Sequence, residues 1–459
     1  MKLASLALAV ILTSCYMDIA DAGYRRVCYY TNWSKLRPGV GQFLPSDIDA
    51  SLCTHIIFAF AHIKSHKLHK YYKNDTELYS EVTSLKLQNP DLKVLLAVGW
   101  ANFGRKAFSR LVSVSSRIQT FADSAVSFLR QHDFDGLDLN WEYPAVGTGS
   151  HPDEKEKFGE LCMTLRQVFE NESVSTGNDR LLLTSAVSPL KSIIDVAYNA
   201  SVLAANLDFV SIMTYDMHNS NTENHTDHHS LLIARSGAVG DDKYLSMTWA
   251  ADYWQKLGVA GHQINIGLAT YGRGFTLTNT TLSGIEAYAD GPSNAGPYTE
   301  AEGLLAYYEV CDMMATGGQS YRNYGSPYFV HADQWIGYDD EESIHWKIVW
   351  LVKEDLGGAM IFSFDLDDFR GSCNSSMGTF PLIRAVKDKL LAAENGTLPL
   401  PTNFYCGGKP NGLYAYEGNC MGFGMCNDGK ENWIDCPNEL MFDKDMLTCV
   451  SKDIVNCLV

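Results

Sequence analysis

Eight short apolar runs alternate with amphipathic stretches along the chain, which predicts an α/β fold whose eight strand-helix units close into a (β/α)8 barrel. The runs are continuously apolar, as is typical of parallel strands that helices cover on both faces. The clearest helical spacing between them is that of Ile118, Phe121, Ala125, Phe128 and Leu129. The runs lie at 27–31, 56–61, 94–98, 137–141, 182–187, 209–214, 264–268 and 359–364.

The seventh and eighth runs are about ninety residues apart, more than one helix and its loops require. A further unit is therefore predicted between them. After the eighth unit, residues 394–402 have the composition of a short linker, and a cysteine-dense unit follows at 403–459. That unit is too small to be stable by a hydrophobic core alone, so disulfides are expected to hold it together.

The first residues resemble an export signal. Met1 and Lys2 precede an apolar run at 3–12, and the small residues Ala20 and Ala22 follow. We expect residues 1–22 to be removed and the product to be secreted. No later stretch has the length of a membrane span, which predicts release rather than anchoring.

The composition is that of a globular protein, with 46% hydrophobic and 20% charged residues in a chain of 459. The net charge of -18 argues against nucleic acid or an anionic membrane as partner. Because the acidic residues are spread along the chain, their simplest role is solubility. Contact with a cationic or mineral surface is the alternative.

Twelve cysteines in an exported chain predict disulfides. Cys15 would leave with the signal, so eleven remain and one thiol must be free. Cys162 is the predicted free thiol because it lies in an apolar helical stripe that would bury it. The six cysteines of the C-terminal unit allow fifteen connectivities in principle.

The run from Phe134 to Pro144, which takes in the fourth predicted strand, carries the candidate chemistry. A period of two places Asp138, Asn140 and Glu142 on one face. Burying a carboxylate costs free energy unless it is paired or has a catalytic or binding role, so these residues indicate a functional site. The alternative is that this face is simply a strand edge exposed to solvent. Glu142 lies where the strand ends, the position at which barrel enzymes place their active sites.

This run resembles the Asp-x-x-Asp-x-Asp-x-Glu signature of the family 18 glycoside hydrolases, the chitinases and chitinase-like lectins. The resemblance extends from about Tyr24 to Leu391. It implies the same barrel at 23–393, with a small α+β insertion at about 274–338, and a metal-free and cofactor-free hydrolysis of chitin. In that family the substrate's own N-acetyl carbonyl attacks the anomeric carbon, with retention of configuration.

Carried over by position, the resemblance implies that Glu142 is the general acid. Asp138 and Asp135 would be supporting carboxylates, and Tyr215 would bond the acetamide carbonyl. Asp216 would bind substrate. Further matches that imply sugar contacts are Tyr29, Phe60, Gly99, Trp100, Asn102, Tyr143, Met213, Tyr271, Arg273, Trp335 and Phe362.

The signature has one departure, because Asn140 stands where the family carries its third aspartate. An amide oxygen can accept the acetamide N–H, but it carries no charge for the developing cation. Loss of one such electrostatic partner typically costs about 3 to 4 kcal/mol of barrier. Removal of the anion is also expected to lower the pKa of Glu142. Reduced turnover is therefore predicted.

Two aromatic positions also depart from the family. The tryptophan of the family's Gly-Gly-Trp-Asn is displaced by one position here, in the stretch from Gly99 to Asn102. Phe362 replaces the tryptophan that floors the cleaved sugar's subsite. Phenylalanine still stacks on a sugar but offers less area.

The C-terminal unit resembles the peritrophin-type chitin-binding domain in its six cysteines and in the stretch from Cys436 to Asp443. Tyr414, Tyr416, Phe423 and Trp433 could stack on sugars or form a miniature core. The two resemblances imply five disulfides, namely Cys28–Cys53, Cys311–Cys373, Cys406–Cys426, Cys420–Cys457 and Cys436–Cys449.

His225, His228 and His229, with Asp227, invite a metal hypothesis. The surrounding stretch 219–230 is polar and carries a glycosylation sequon at Asn224, so we interpret it as a surface loop and predict no metal.

The sequence therefore predicts a monomeric, secreted, chitinase-type hydrolase that binds chitin and chito-oligosaccharides. The rival hypothesis is a lectin or matrix protein that binds chitin without cutting it. Lectin descendants of this family generally lose the glutamate that this chain keeps as Glu142. An acidic structural protein of a chitinous or mineralised extracellular matrix is a third hypothesis, which excludes neither of the others.

Overall fold

The computed structural model describes residues 23–100, 104–235, 238–323, 325–373, 375, 377–398, 410–416, 419–427, 430–437, 440–443 and 446–451. The predicted signal at 1–22 and most of the predicted linker lie outside these residues. None of the described helices combines the length and apolar character that crossing a membrane requires.

Eight parallel strands close into the predicted barrel. They follow the order β1-β15-β8-β7-β6-β5-β4-β2, and β2 pairs with β1 to complete the circle. Nearly every strand position is buried, because helices cover the outside and side chains fill the inside. In chain order the strands are β1 Arg25–Thr31, β2 His55–Lys64, β3 Lys67–His69, β4 Lys93–Gly99, β5 Gly136–Asn140, β6 Leu182–Val187, β7 Phe209–Ile212, β8 Ile264–Ala269, β9 Tyr271–Leu277, β10 Ala289–Pro292, β11 Leu304–Ala306, β12 Gln319–Asn323, β13 Ser326–His331, β14 Gln334–Gly337 and β15 Gly358–Phe362.

Ten helices are described alongside these strands. The predicted stripe on α3 buries Ile118, Phe121, Ala125 and Leu129. Cys162 on α4 is a buried free thiol, as predicted. The helices are α1 Asp75–Thr83, α2 Gly104–Val112, α3 Ser115–Gln131, α4 Glu154–Thr176, α5 Lys191–Ala197, α6 Ala200–Asn206, α7 Met247–Lys256, α8 Tyr307–Ala315, α9 Glu341–Lys353 and α10 Pro381–Glu394.

The long interval before the eighth barrel strand forms the predicted insertion. Its antiparallel sheet has the order β10-β9-β14-β13-β12, and β11 pairs with β9. Helix α8 packs against this sheet. The Cys311–Cys373 disulfide joins α8 to the segment that follows β15, which ties the insertion to the barrel.

The C-terminal module contains two small antiparallel sheets. Strands β16 Gly412–Tyr416, β17 Asn419–Asn427 and β18 Lys430–Asp435 form one, and β19 Met441–Asp443 with β20 Thr448–Val450 form the other. The structure forms the predicted disulfides Cys28–Cys53 and Cys436–Cys449, and Cys426 is also disulfide-bonded. The predicted bridges that involve Cys406, Cys420 and Cys457 fall on side chains outside the described part of the chain.

Candidate active site

The centre of the candidate site is the end of β5. Asp138 and Asn140 lie on one face of this strand, and Glu142 follows two residues beyond its last position. All five residues of β5 are buried, so these polar side chains are enclosed by the barrel. The parallel arrangement brings the end of β5 together with the ends of β1, β7 and β15, which supply further site residues.

An open cleft of about 580 Å³ lies over these strand ends. It is of the size that small-molecule sites usually have, and aromatic side chains contribute a third of the residues that line it. Most of the predicted sugar contacts line it. They are Tyr29, Phe60, Trp100, Asn140, Glu142, Tyr143, Met213, Tyr215, Asp216, Tyr271, Arg273 and Phe362.

Asp138 lies deeper in the barrel than Glu142. Its two carboxylate oxygens accept hydrogen bonds from Tyr29 Oη at 2.8 Å and Thr184 Oγ1 at 2.7 Å. Burial raises the pKa of Asp138, and the two hydrogen bonds oppose that rise. Because both oxygens are engaged, Asp138 can support a neighbour electrostatically but is poorly placed to attack a substrate.

Glu142 has the properties of a general acid. Burial, followed by the negative charge of Asp216, raises its pKa to about 7. The prediction that an amide at Asn140 lowers this pKa relative to an aspartate there stays a prediction. Burial and the charge of Asp216 keep the pKa raised with the amide in place. The protonated form of Glu142 is therefore well populated near neutral pH.

Asp216 is held ionised by an ion pair. Arg273 Nε and Nη2 contact its two carboxylate oxygens at 2.6 and 2.5 Å, and Tyr271 Oη donates to Oδ1 at 2.8 Å. The guanidinium holds the pKa of Asp216 well below its usual range despite burial. Asp216 thus provides the fixed negative charge that raises the pKa of Glu142.

The side chain of Asn140 is 3% exposed and lines the cleft. Its Oδ1 has no hydrogen-bond partner among the described residues. A buried acceptor left in this state costs about 1–3 kcal/mol, which a ligand donor would recover. Asn140 also pairs in register with Gly99, whose φ is +129°. A Cβ at Gly99 would lie 2.0 Å from the Asn140 carbonyl oxygen, so that position requires glycine.

Three aromatic rings stack at one end of the cleft. The Trp33 and Trp100 centroids are 5.0 Å apart with 13° between the planes, and Phe60 stacks within 5.9 Å of Trp33. Flat faces of this kind suit the apolar faces of sugar rings. We did not predict Trp33. It follows the C-terminal end of β1, so the rule that barrel sites form at strand ends could have indicated it.

Phe362, at the end of β15, lies between two tyrosines. Its centroid is 5.6 Å from that of Tyr29 and 6.1 Å from that of Tyr215. This places it directly beside the residues around Glu142 and Asp138.

Residues 25–367 match the family model described as glycosyl hydrolases family 18, which spans most of the chain. The chain belongs to this family. Residues 406–457 match the model described as chitin binding peritrophin-A domain, so the family 18 barrel is followed by a chitin-binding module.

Known relatives include both enzymes and binding proteins. Mouse chitotriosidase-1 is 39% identical over 466 residues, which cover 97% of this chain and 99% of the relative. The immunomodulatory active chitinase of Trichuris suis superposes with a TM-score of 0.77 at 38% identity, over 80% of this chain and 100% of that structure. Human YKL-39, described as a pseudo-chitinase with retained chitooligosaccharide binding, superposes with a TM-score of 0.76 at 39% identity, over the same shares.

Two residues carried over from the family 18 pattern do not reach the cleft. Asp135 precedes β5 and lies at the opposite end of the strand, about 20 Å along the chain from Glu142. There its carboxylate accepts the Val94 N–H at 2.7 Å and pairs with Lys86. We correct its predicted role accordingly, from a supporting carboxylate of the site to a contact between strands at the far end of the barrel.

Trp335 is the second of these residues. It is fully buried in the core of the insertion, where Tyr328 stacks on it at 5.1 Å and Phe275 lies edge-on at 5.7 Å. It is absent from the described lining of the cleft, which corrects its predicted contact with sugar. Asn102 lies outside the described residues, and Gly99 supports the neighbouring turn instead of lining the cleft.

The prediction that residues 219–230 form a surface loop is wrong for the second half of this stretch. Asp227, His228 and His229 are buried, and His228 Nε2 lies 2.6 Å from the Tyr338 carbonyl oxygen. His229 Nδ1 accepts the backbone N–H of Asp216 at 3.4 Å, and burial lowers the pKa of His229. Polar composition did not reveal this burial, because His228 bonds across to the insertion while Asp227 pairs with Arg235 and His229 with Asp216.

Proposed function

We propose that the chain is a secreted hydrolase that cuts β-1,4-linked N-acetylglucosamine polymers by substrate-assisted, retaining catalysis. The observation that carries this proposal is the position of Glu142, just beyond the end of β5 in the cleft, where burial and the charge of Asp216 raise its pKa to about 7. In this reaction Glu142 protonates the leaving oxygen while the substrate's N-acetyl carbonyl oxygen attacks the anomeric carbon. Water then opens the resulting oxazolinium, with Glu142 acting as base.

The other acidic side chains near Glu142 support attack by the substrate's own carbonyl. Asp138 is held by Tyr29 and Thr184, and Asp216 is held by Arg273. A carboxylate engaged in this way makes a poor nucleophile. Attack by the N-acetyl group needs no second carboxylate.

Two polar groups suit an acetamide. Asn140 Oδ1 is an unmet acceptor that can receive the acetamide N–H. Within the described part of the chain, the hydrogen-bond partner of Tyr215 Oη is a weak acceptor, Met360 Sδ at 3.6 Å, so the hydroxyl can donate to the acetamide carbonyl. A carbonyl held in this way stays close to the anomeric carbon that it attacks.

A chitin lectin is the second candidate, and Asn140 is the observation that favours it. The motif lacks the charge that would stabilise the oxazolinium, and human YKL-39 shows that a structural neighbour can keep sugar binding as a pseudo-chitinase. The two functions share the aromatic cleft and the C-terminal module. They differ in whether a bond breaks.

Incubation of the purified chain with insoluble chitin separates the two candidates. We expect the chain to sediment with chitin and to release soluble N-acetylated oligomers, detected by mass spectrometry. Sedimentation without release, at high protein concentration and over days, would support the lectin. Failure to sediment would contradict both.

The pH profile follows from Glu142. The proton to be donated is present below a pKa of about 7 and lost above it. We expect kcat/KM for a soluble oligomer to fall about tenfold for each pH unit above that value. A rate that stays flat between pH 6 and 9 would show that Glu142 does not supply the proton.

A further inference from the structure

Helix α9 is buried around its whole circumference. Every position from Trp346 to Leu351 is buried, and six consecutive residues span more than one and a half turns. A helix on the outside of a barrel normally buries one face and exposes the other. Something must therefore cover the outer face of α9.

The C-terminal module supplies the cover. The ring of Phe423 in β17 meets that of Trp346 edge-on, with centroids 5.2 Å apart, and both residues are 3% exposed. Met425 and Ile434 of the module are buried in the same seam, where Ile233 lies on the barrel side. The remaining cavity is about 10 Å³, at or below the space that one water needs. The seam is closely packed.

We propose that this seam is a docking surface that fixes the chitin-binding module to the barrel, so that the module is held in one orientation and does not swing on a linker. The module's own core is small, since within it Phe423 stacks on Phe442 with centroids 4.5 Å apart, while Trp346 of the barrel contacts the same ring edge-on. The apolar face of α9 completes its core, and the module in turn shields Trp346 from water.

The docked face cannot also bind chitin. Strand register separates the two faces of the module's three-stranded sheet: Phe423 pairs with Ile434, and the next position, Gly424, pairs with Tyr414 and Trp433. By the period of two, Tyr414 belongs to the face turned away from the barrel. Phe423 is therefore an anchor between domains, and the sugar-binding role predicted for the module's aromatics falls to Tyr414, whereas the side chain of Trp433 lies outside the described part of the chain.

Docking also sets where the module sits relative to the cleft. Ser343, Trp346 and Lys347 line the seam from the first two turns of α9. Barrel helices run antiparallel to the strands, so these turns lie at the end of the barrel that carries the cleft. Twelve peptide units connect Leu398, which follows α10, to Pro410 at the start of the module, and they span at most about 40 Å. A barrel helix is about 20 Å long, so this segment is long enough for the chain to return to the cleft end of the barrel.

Small-angle scattering of the full chain tests the docking without reference to activity. We expect a single compact particle with a radius of gyration of about 22 Å for the wild type. Trp346→Ala and Phe423→Ala remove the two rings of the contact from opposite sides. Loss of either ring should lower the equilibrium constant for docking about 30-fold or more. The module would then separate from the barrel, and the scattering profile would become that of an extended, two-body particle.

Trp249→Ala is the matched control, because it removes a partly buried tryptophan from another barrel helix, where it contacts Tyr244 and Tyr253. It should leave the profile compact. Limited proteolysis checks that each variant's module is still folded, since the barrel cleft could by itself keep a variant on chitin. If the wild type itself gives the extended, two-body scattering profile, the module is not docked and the proposal is overturned.

A second readout rests on the proposed function. Release of oligomers from insoluble chitin should fall in Trp346→Ala, whereas turnover of a short soluble oligomer should not change. If the chain cuts neither substrate, the proposed hydrolysis fails while the scattering result still decides the docking. Equal losses on both substrates would show that Trp346 acts through barrel stability and not through docking.

Discussion

Glu142→Gln is expected to lower kcat for a soluble chito-oligosaccharide by about 10²- to 10⁴-fold, the usual contribution of a positioned general acid. Glutamine keeps the size of the side chain but can neither donate a proton at pH 7 nor act later as a base. Because Glu142 is half-buried in the cleft and its pKa is raised to about 7, replacing it with a neutral amide removes a charge that its surroundings disfavour and should not destabilise the fold. Steady-state kinetics with a chromogenic oligomer measures the effect.

Glu300→Gln is the control for this substitution, since Glu300 also lines the cleft but is exposed. It should change kcat little. Affinity for the uncut oligomer, measured by calorimetry, should be nearly the same in Glu142→Gln as in the wild type. Equal kcat values for the wild type and Glu142→Gln would remove Glu142 from the mechanism.

Asn140→Asp is expected to raise kcat by about 10²- to 10³-fold, the reverse of losing one preorganised electrostatic partner. The new carboxylate would lie beside the acetamide and stabilise the oxazolinium. It would also add an anion near Glu142, which raises the pKa of that acid further. The falling limb of the pH profile should therefore move to higher pH in the same variant.

Asn140→Ala separates charge from hydrogen bonding. If the amide oxygen holds the acetamide N–H, this variant should lose affinity for the oligomer relative to the wild type, because a buried hydrogen bond is lost. A kcat for Asn140→Asp no higher than that of the wild type would show that the missing charge does not limit turnover.

The architecture was predictable because its signals are periodic. Continuous apolar strands and helical stripes such as that of α3 identified the barrel, and the long interval before β15 identified the insertion. The position of Glu142 followed from the strand period together with the rule that barrel sites form at strand ends.

The remaining features depend on contacts between distant segments. Asp135 and Trp335 match the sequence pattern of family 18. Asp135, however, lies at the far end of β5, and Trp335 packs on Phe275 and Tyr328 in the insertion. His228 is buried only because the insertion folds over its loop and supplies the Tyr338 carbonyl. Composition and spacing carry no information about such packing partners.

In the proposed mechanism Glu142 and the substrate's own N-acetyl group together break the bond. The most direct test compares two reporter glycosides of chitobiose, one fully N-acetylated and one with a free amine on the sugar that carries the reporter. We predict that the wild type releases the reporter from the first and not from the second, because an amine has no carbonyl to attack with. Equal release from both would show that a protein group is the nucleophile, and release from neither would leave a protein that binds chitin without cutting it.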